Sequence, residues 1–370
     1  MQETDAIINA RREVEICNAC RYCEGFCAVF PALELRREFS GGDLSYLANL
    51  CHNCRGCYYA CQYAPPHEWG INIPRTMAEV RAESYVEYAW PAGAAKAFER
   101  NGVVVGLSVA VSIALVLIIS MAISAPGQFF AARPMEPGAF YAVIPLLAMQ
   151  IVGIASFGFA LFAMGKGAVN FWRDAGPSEK VGITALSIAA WDVLTLKNLG
   201  GNKGDGCNDN SEAFSMRRRH LHHAMFYGFM LCFAATSVGF IYHSWFGWHA
   251  PYEFFSLPVL LGTVGGILML IGTVGLFAMK LTDDPMPNAP RLLGGDVAML
   301  LLLAMAALTG LVLLAVRATG AMPLALAVHL GFILALFVVL PYSKMVHGVY
   351  RSAALLRRAA ERNMKPLGGD

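Results

Sequence analysis

Eight cysteines between residues 17 and 61 repeat one spacing: Cys17, Cys20, Cys23 and Cys27, then Cys51, Cys54, Cys57 and Cys61, each C-x2-C-x2-C-x3-C. That is the ligand run of a two-cluster ferredoxin. Three thiolates on one tight loop hold three corners of a cubane, and the fourth, a helical turn further on, reaches the other cluster. Cys17, Cys20, Cys23 and Cys61 are therefore expected to hold one [4Fe-4S] cluster, and Cys51, Cys54, Cys57 and Cys27 the second. Zinc knuckles and disulfides fit less well, because structural zinc takes two separated C-x2-C pairs rather than tandem four-cysteine runs. One feature departs from the ferredoxin form: Pro31 and Pro65 come four residues after the last cysteine of each run instead of directly after it.

Histidine is the second candidate ligand. His220, His222, His223, His243, His329 and His347 lie in or beside apolar segments, where paired imidazoles serve as axial ligands of b-type haem. His249 reads as a polar anchor, and His52 and His67, among the cysteines, read as residues that shape a cluster pocket.

The elements that position these residues follow from composition. With 56% hydrophobic and 15% charged residues, the chain is too apolar for a soluble protein, in which about 25% charged is usual. Six stretches, 103–123, 140–164, 224–246, 257–279, 297–316 and 322–346, reach the roughly 20 residues a bilayer requires. They contain no Asp, Glu or Arg, and Lys344 is their only Lys. The expected architecture is mostly α. An N-terminal two-cluster α-helical ferredoxin-like domain (1–100) precedes a six-helix transmembrane haem-b bundle (101–350), and a basic tail (351–370) follows.

Basic residues set the expected orientation. The loop 166–221 carries Lys166, Arg173, Lys180, Lys197, Lys203 and Arg217 to Arg219, and the tail carries Arg351, Arg357, Arg358, Arg362 and Lys365. Arg133 and Arg317 stand almost alone on the other side. Both termini are expected in the cytoplasm, consistent with the absence of an apolar secretory core before Cys17. These clusters read as topology signals and contacts to anionic lipid, not as nucleic-acid sites. Within the loop, ALSIAAWDVLTLKNL is amphipathic and suits a helix on the membrane surface, and LGGNKGDGCNDN reads as turns. Cys207 in those turns reads as an incidental or reactive thiol, and Cys232 as core.

On this topology the third and sixth spans run antiparallel. His222 or His223 then meets His347 at the cytoplasmic level, and His243 meets His329 at the far level, which would suit two haems. His329 and His347 are 18 residues apart, so one continuous helix would carry them on one face, separated by roughly 27 Å. By the same arithmetic His222 lies about 60° and His223 about 200° from the face of His243, which favours His222.

The segments CNACRYCEGFCAVFPALELRR, GDLSYLANLCHNCRGCYYACQYAPPHEWGINIP, GDGCNDNSEAF, HHAMFYGFMLCFAAT and KMVHGVYRSAALL resemble the tricarballylate utilisation protein B family, also called citrate utilisation B. The resemblance covers nearly the whole chain. It implies an electron carrier of the bacterial inner membrane with iron-sulfur clusters and haem. Such a protein reoxidises an FAD-dependent tricarballylate dehydrogenase, whose product is cis-aconitate, and feeds the respiratory chain. The family's double histidine falls on His222 and His223 without separating them.

In that reading a flavin gives up two electrons, two clusters take them singly, and a lipid-soluble quinone is the expected acceptor. The lack of acidic residues within the spans speaks against a proton relay. A quinol-driven reductase of a cytoplasmic acceptor, similar to heterodisulfide reductase systems, would use the same parts in reverse. A redox-sensing transporter would require intramembrane charge, broken helices or inverted repeats.

Overall fold

The computed structural model describes residues 3–98, 102–124, 129–131, 136–176, 180–201 and 204–362. Arg133, Lys203, Lys365 and the tail from 363 onward lie outside the described residues.

The head is a small helical domain whose helices begin where their caps dictate. α1 (Asp5–Cys20) starts at Thr4, whose hydroxyl accepts the Ile7 N–H, and stops at Arg21 in a left-handed conformation with φ 55°. The single turn α2 (Val29–Leu33) leads to α3 (Gly41–Leu50), which opens on a reciprocal capping box between Ser40 and Asp43. α4 (Gly56–Tyr59) is one turn; α5 (Ile73–Glu87) is capped by Asn72 with Pro74 near its start, and α6 (Ala92–Phe98) leads out of the head. Ile7 and Val14 of α1, Leu44 and Leu47 of α3, and Met77 and Val80 of α5 have no exposed surface. Burying each such side chain contributes about 1.5–3 kcal/mol, and this core fixes α1 and α3, the two helices that end in cysteines.

Among the described residues six helices are long and apolar enough to cross a membrane. They are α7 (Gly102–Ile123), α8 (Leu146–Asp174), α10 (Arg217–Phe246), α11 (Leu257–Thr282), α12 (Leu293–Val316) and α13 (Met322–Val339). Between α8 and α10 lie α9 (Ile183–Leu194) and a two-stranded hairpin, β1 (Cys207–Asn208) and β2 (Phe214–Ser215), paired with Cys207 opposite Ser215. α9 buries Ala185 and Ala189 and leaves Ile183, Leu186, Trp191 and Leu194 exposed, as a helix lying on a membrane surface does. α10 and α11 pack with their backbones close: a Cβ on Gly228 would stand 2.5 Å from the Met269 nitrogen, and one on Gly265 would stand 2.8 Å from the Cys232 nitrogen.

The sixth span ends earlier than its composition predicts. α13 stops at Val339, just before Pro341, and α14 (His347–Glu361) begins as a separate helix. Proline's missing N–H and its clash with the preceding turn account for the break. His329 and His347 therefore do not share one helix, and the 18-residue face arithmetic does not apply. α14 is not a free basic tail either: Tyr350, Ala354, Leu355, Arg357 and Glu361 are buried, and it packs against α3, α8 and α9. Asp296 is a second surprise. It lies in the first turn of α12, which begins ahead of the expected span 297–316, and is buried, paired with Lys280 of α11 at 2.5 Å and with Lys344.

The head sits on one end of the bundle. Tyr88 donates to Asp174 at the end of α8 (2.5 Å), and Arg218 at the start of α10 donates to the Asn53 carbonyl (2.6 Å). Loops at the opposite end meet each other, with the Gly138 N–H donating to Ala250 (2.8 Å) and Arg317 to Tyr252 (2.6 Å).

Candidate functional site

The eight cysteines gather into two groups of four, and the groups exchange one member between runs. Cys17, Cys20, Cys23 and Cys61 line a cavity with Ile16, Tyr22 and Tyr63. Cys27, Cys51, Cys54 and Cys57 line a second one, of about 360 Å³ with its open mouth counted, together with His52 and Ile73. Phe30 belongs to both walls. Left-handed backbone at Arg21 (φ 55°), Asn53 (φ 56°) and Arg55 (φ 66°) turns the chain tightly enough for each run to wrap its cavity. All ten cysteines are free thiols.

The donor chemistry suits iron-sulfur clusters. Burial first, then neighbouring thiols of the same group, push Cys23 up to about 12 and Cys27 and Cys57 well above the ordinary thiol value. Four thiolates so close become tolerable only around cationic metal. Backbone N–H groups of Val29 and Phe30 point to Cys27, that of Gly56 to Cys54, and those of Tyr63 and Ala64 to Cys61, a pattern that stabilises cluster sulfur.

Two of the expected histidines stand face to edge on the head side of the bundle. The rings of His222 on α10 and His347 at the start of α14 have centroids 6.2 Å apart and planes 78° apart. Nδ1 of His347 donates to the Lys344 carbonyl at 2.5 Å, which leaves Nε2 as the free acceptor. Burial, then the Arg351 charge, hold the His347 ring well below its ordinary pKa and hence in the neutral form that binds metal. The Nδ1 of His222 is buried without a hydrogen-bond partner among the described residues. Two imidazoles this close, one of them oriented by a carbonyl, fit an axial haem pair. His223 is occupied elsewhere, its Nε2 bonding the Thr195 carbonyl at 3.0 Å and its ring lying against Tyr227.

The far-level histidines are not brought together. His243 pairs with His249, Nδ1 to Nδ1 at 2.9 Å, and its ring meets Tyr141. His329 instead bonds Thr309 Oγ1 at 3.1 Å and rests on Gly310, where a Cβ would come within 3.1 Å of the ring. Among the described residues, the geometry on the head side fits a haem held by His222 and His347. His52 lines the cavity of Cys27, Cys51, Cys54 and Cys57, with Nδ1 bonded to the Leu50 carbonyl at 2.6 Å. His67 packs edge-on against Tyr63 and Trp69.

Comparison with known proteins now bears on what this assembly is. Residues 98–367 match the family model described as Citrate utilization protein B, and residues 10–87 match that of its Fer4-like domain. Citrate utilization protein B of Escherichia coli is 46% identical over 370 residues, covering 99% of this chain and 95% of the relative. The chain belongs to the citrate utilization protein B family. No solved structure matches it. The Fer4-like head of this family member, over a bundle of membrane-length helices, suits a role in electron transfer.

In this family member the head is locked to the bundle through the second cysteine group. Arg55 donates to the Asp209 carbonyl, to Asp283 and to Asn288, the last two at 2.8 Å. Arg218 reaches Asp283 at 3.3 Å, and the Asn208 N–H donates to the Cys54 carbonyl at 2.9 Å. Arg351 donates to the Asn49 and Cys51 carbonyls at 3.3 and 3.0 Å. Arg218 and Arg351, read from sequence as topology signals and lipid contacts, thus dock protein to protein. Cys207 is buried and donates to the Leu199 carbonyl at 3.4 Å, and burial pushes it up to about 12, so it is no reactive thiol. Sequence reasoning missed Arg55, Arg81 and Arg351 as site residues; Asp209 lay inside a family segment but carried no signal of its partner.

Proposed function

We propose that this protein is a membrane electron carrier that reoxidises a cytoplasmic FAD-dependent dehydrogenase of the tricarballylate type and delivers the electrons to membrane quinone. It would lie in the bacterial inner membrane with its head and both termini in the cytoplasm. The observation that supports this best is the continuity of the parts. One cysteine group reaches the surface through exposed Cys20, and the other lies where the head meets the spans, tied through Cys51 and Arg351 to the helix that carries His347.

When bound, two [4Fe-4S] clusters and haem b supply one-electron carriers, the conversion a two-electron flavin donor needs. This chain's residues provide the rest. Cys17, Cys20, Cys23 and Cys61 would hold one cluster, Cys27, Cys51, Cys54 and Cys57 the other, and His222 with His347 the haem. Phe30, shared by both cavity walls, keeps water from between the two groups. Lys344, through its carbonyl, orients His347.

Mixing the purified protein anaerobically with a flavoprotein dehydrogenase and its substrate tests the reading. Reduction of the b-type absorption band on the timescale of turnover is expected; a band that stays oxidised while the flavin is reduced would refute the proposed donor.

A further inference from the structure

The two cysteine groups share a spacing and differ in the fixed charge placed beside them. Glu13 precedes Cys17 by four residues on α1, which puts it on the same helix face one turn away. Its side chain is buried, with 2% exposed. It accepts hydrogen bonds from Thr76 Oγ1 (3.1 Å), Asn9 Nδ2 (3.3 Å) and the Asn72 N–H (3.2 Å), an acceptor-only pattern that suits a carboxylate. Among the described residues its one ion-pair partner is the half-exposed Arg12, at 3.8 Å.

Around Cys51 the sign is reversed. Arg81 donates to the Cys51 carbonyl at 2.5 Å and to that of Ala48 at 3.0 Å, and Arg351 donates to the Cys51 carbonyl at 3.0 Å. Among the described residues neither guanidinium forms an ion pair with a carboxylate. Both guanidiniums reach the same Cys51 carbonyl, so the two cations crowd one another. The nearby Arg55 and Arg218 are different, because Asp283 and Asp209 neutralise them. Burying two like charges at one ligand is costly unless a negative group lies between them.

We propose that Glu13 on one side, and Arg81 with Arg351 on the other, set the two clusters at unequal reduction potentials, the cluster of Cys27, Cys51, Cys54 and Cys57 being the higher. Adding an electron makes a thiolate-bound cluster more negative, so a buried carboxylate opposes reduction and buried guanidiniums favour it. Burial of the second group works the other way, since low dielectric penalises added charge. Two unpaired cations, unscreened in that same medium, offset it. One electron then passes downhill from the surface cluster to the cluster nearest the spans, with no proton moved, and a reduced flavin is the donor class this order suits. The inference rests on the function proposed above and adds its direction.

EPR-monitored redox titration of the anaerobically purified protein tests it, with Cys20→Ser and Cys27→Ser assigning each signal to its cysteine group. The signal retained in Cys20→Ser is expected to titrate higher than the one retained in Cys27→Ser. Arg351→Gln should cut the reduced fraction of the former about tenfold at fixed potential, or about 59 mV for one electron, and leave the latter in place. Glu13→Gln should raise the latter by a similar factor, and Arg351→Lys, which keeps the charge, should restore the parent value. Equal or inverted midpoints, or substitutions that move neither signal, would overturn the inference while the cluster assignment stands. Loss of all cubane signal from the parent protein would instead overturn the proposed function itself.

Discussion

Cys20 stands exposed at the rim of one cysteine cavity, whereas Cys51 in the other is buried beneath Arg81 and Arg351. Identical spacing has therefore been placed in two settings. The distal group belongs to the head alone: α1 supplies Cys17 and Cys20, and its walls are Tyr22, Tyr63 and Ile71. The proximal group is finished by the rest of the chain, with Asn198 from the loop after α9 in its wall and Arg351 from α14 on its backbone. The first group is thus walled by the head alone, whereas residues from beyond the head complete the surroundings of the second.

The comparison breaks most visibly at the ligands. Cys27→Ser should abolish the centre whose other donors are Cys51, Cys54 and Cys57, and Cys61→Ser the centre of Cys17, Cys20 and Cys23. Iron content and EPR of each variant check the exchange, and loss of the centre in the variant's own run would show that no exchange occurs.

Next in size is the docking. Arg55→Ala removes one partner of a buried charge cluster with 1% of its side chain exposed, and should destabilise the head by about 3–5 kcal/mol. Arg12→Ala, at the distal group with 47% of its side chain exposed, should cost about 1 kcal/mol or less. Thermal unfolding and limited proteolysis of the head in detergent would compare the two, and equal losses would erase the distinction between a docked and a free group. The smallest effect belongs to the outer face of α5: Glu79→Gln breaks an exposed i,i+4 pair with Arg75 and should cost about 0.3–0.5 kcal/mol, with both centres retained.

Sequence disclosed what depends on spacing and composition. The cysteine grouping was legible because thiolate geometry constrains local loop length, and the six spans were legible because a bilayer demands long apolar runs. The turn at Pro341 was hidden inside an apolar stretch that hydropathy alone continues to Val346. His243 and His329 were paired by depth, while their contacts to His249, to Thr309 and to Gly310 are long-range or local packing that periodicity does not reveal. Arg351 looked like a lipid contact because its partner Cys51 is 300 residues away, and only folding joins them. His222 over His223 was favoured from helical arithmetic, and the bond of His223 to the Thr195 carbonyl is a contact that arithmetic did not foresee.

The central claim is that the cysteine head leads to a haem held by His222 and His347. Optical and EPR spectra of purified His347→Ala, beside His329→Ala and the parent, test it most directly. The account predicts that His347→Ala loses the reduced b-type band while both cubane signals remain, and that His329→Ala keeps the band. A band of full intensity in His347→Ala would contradict it.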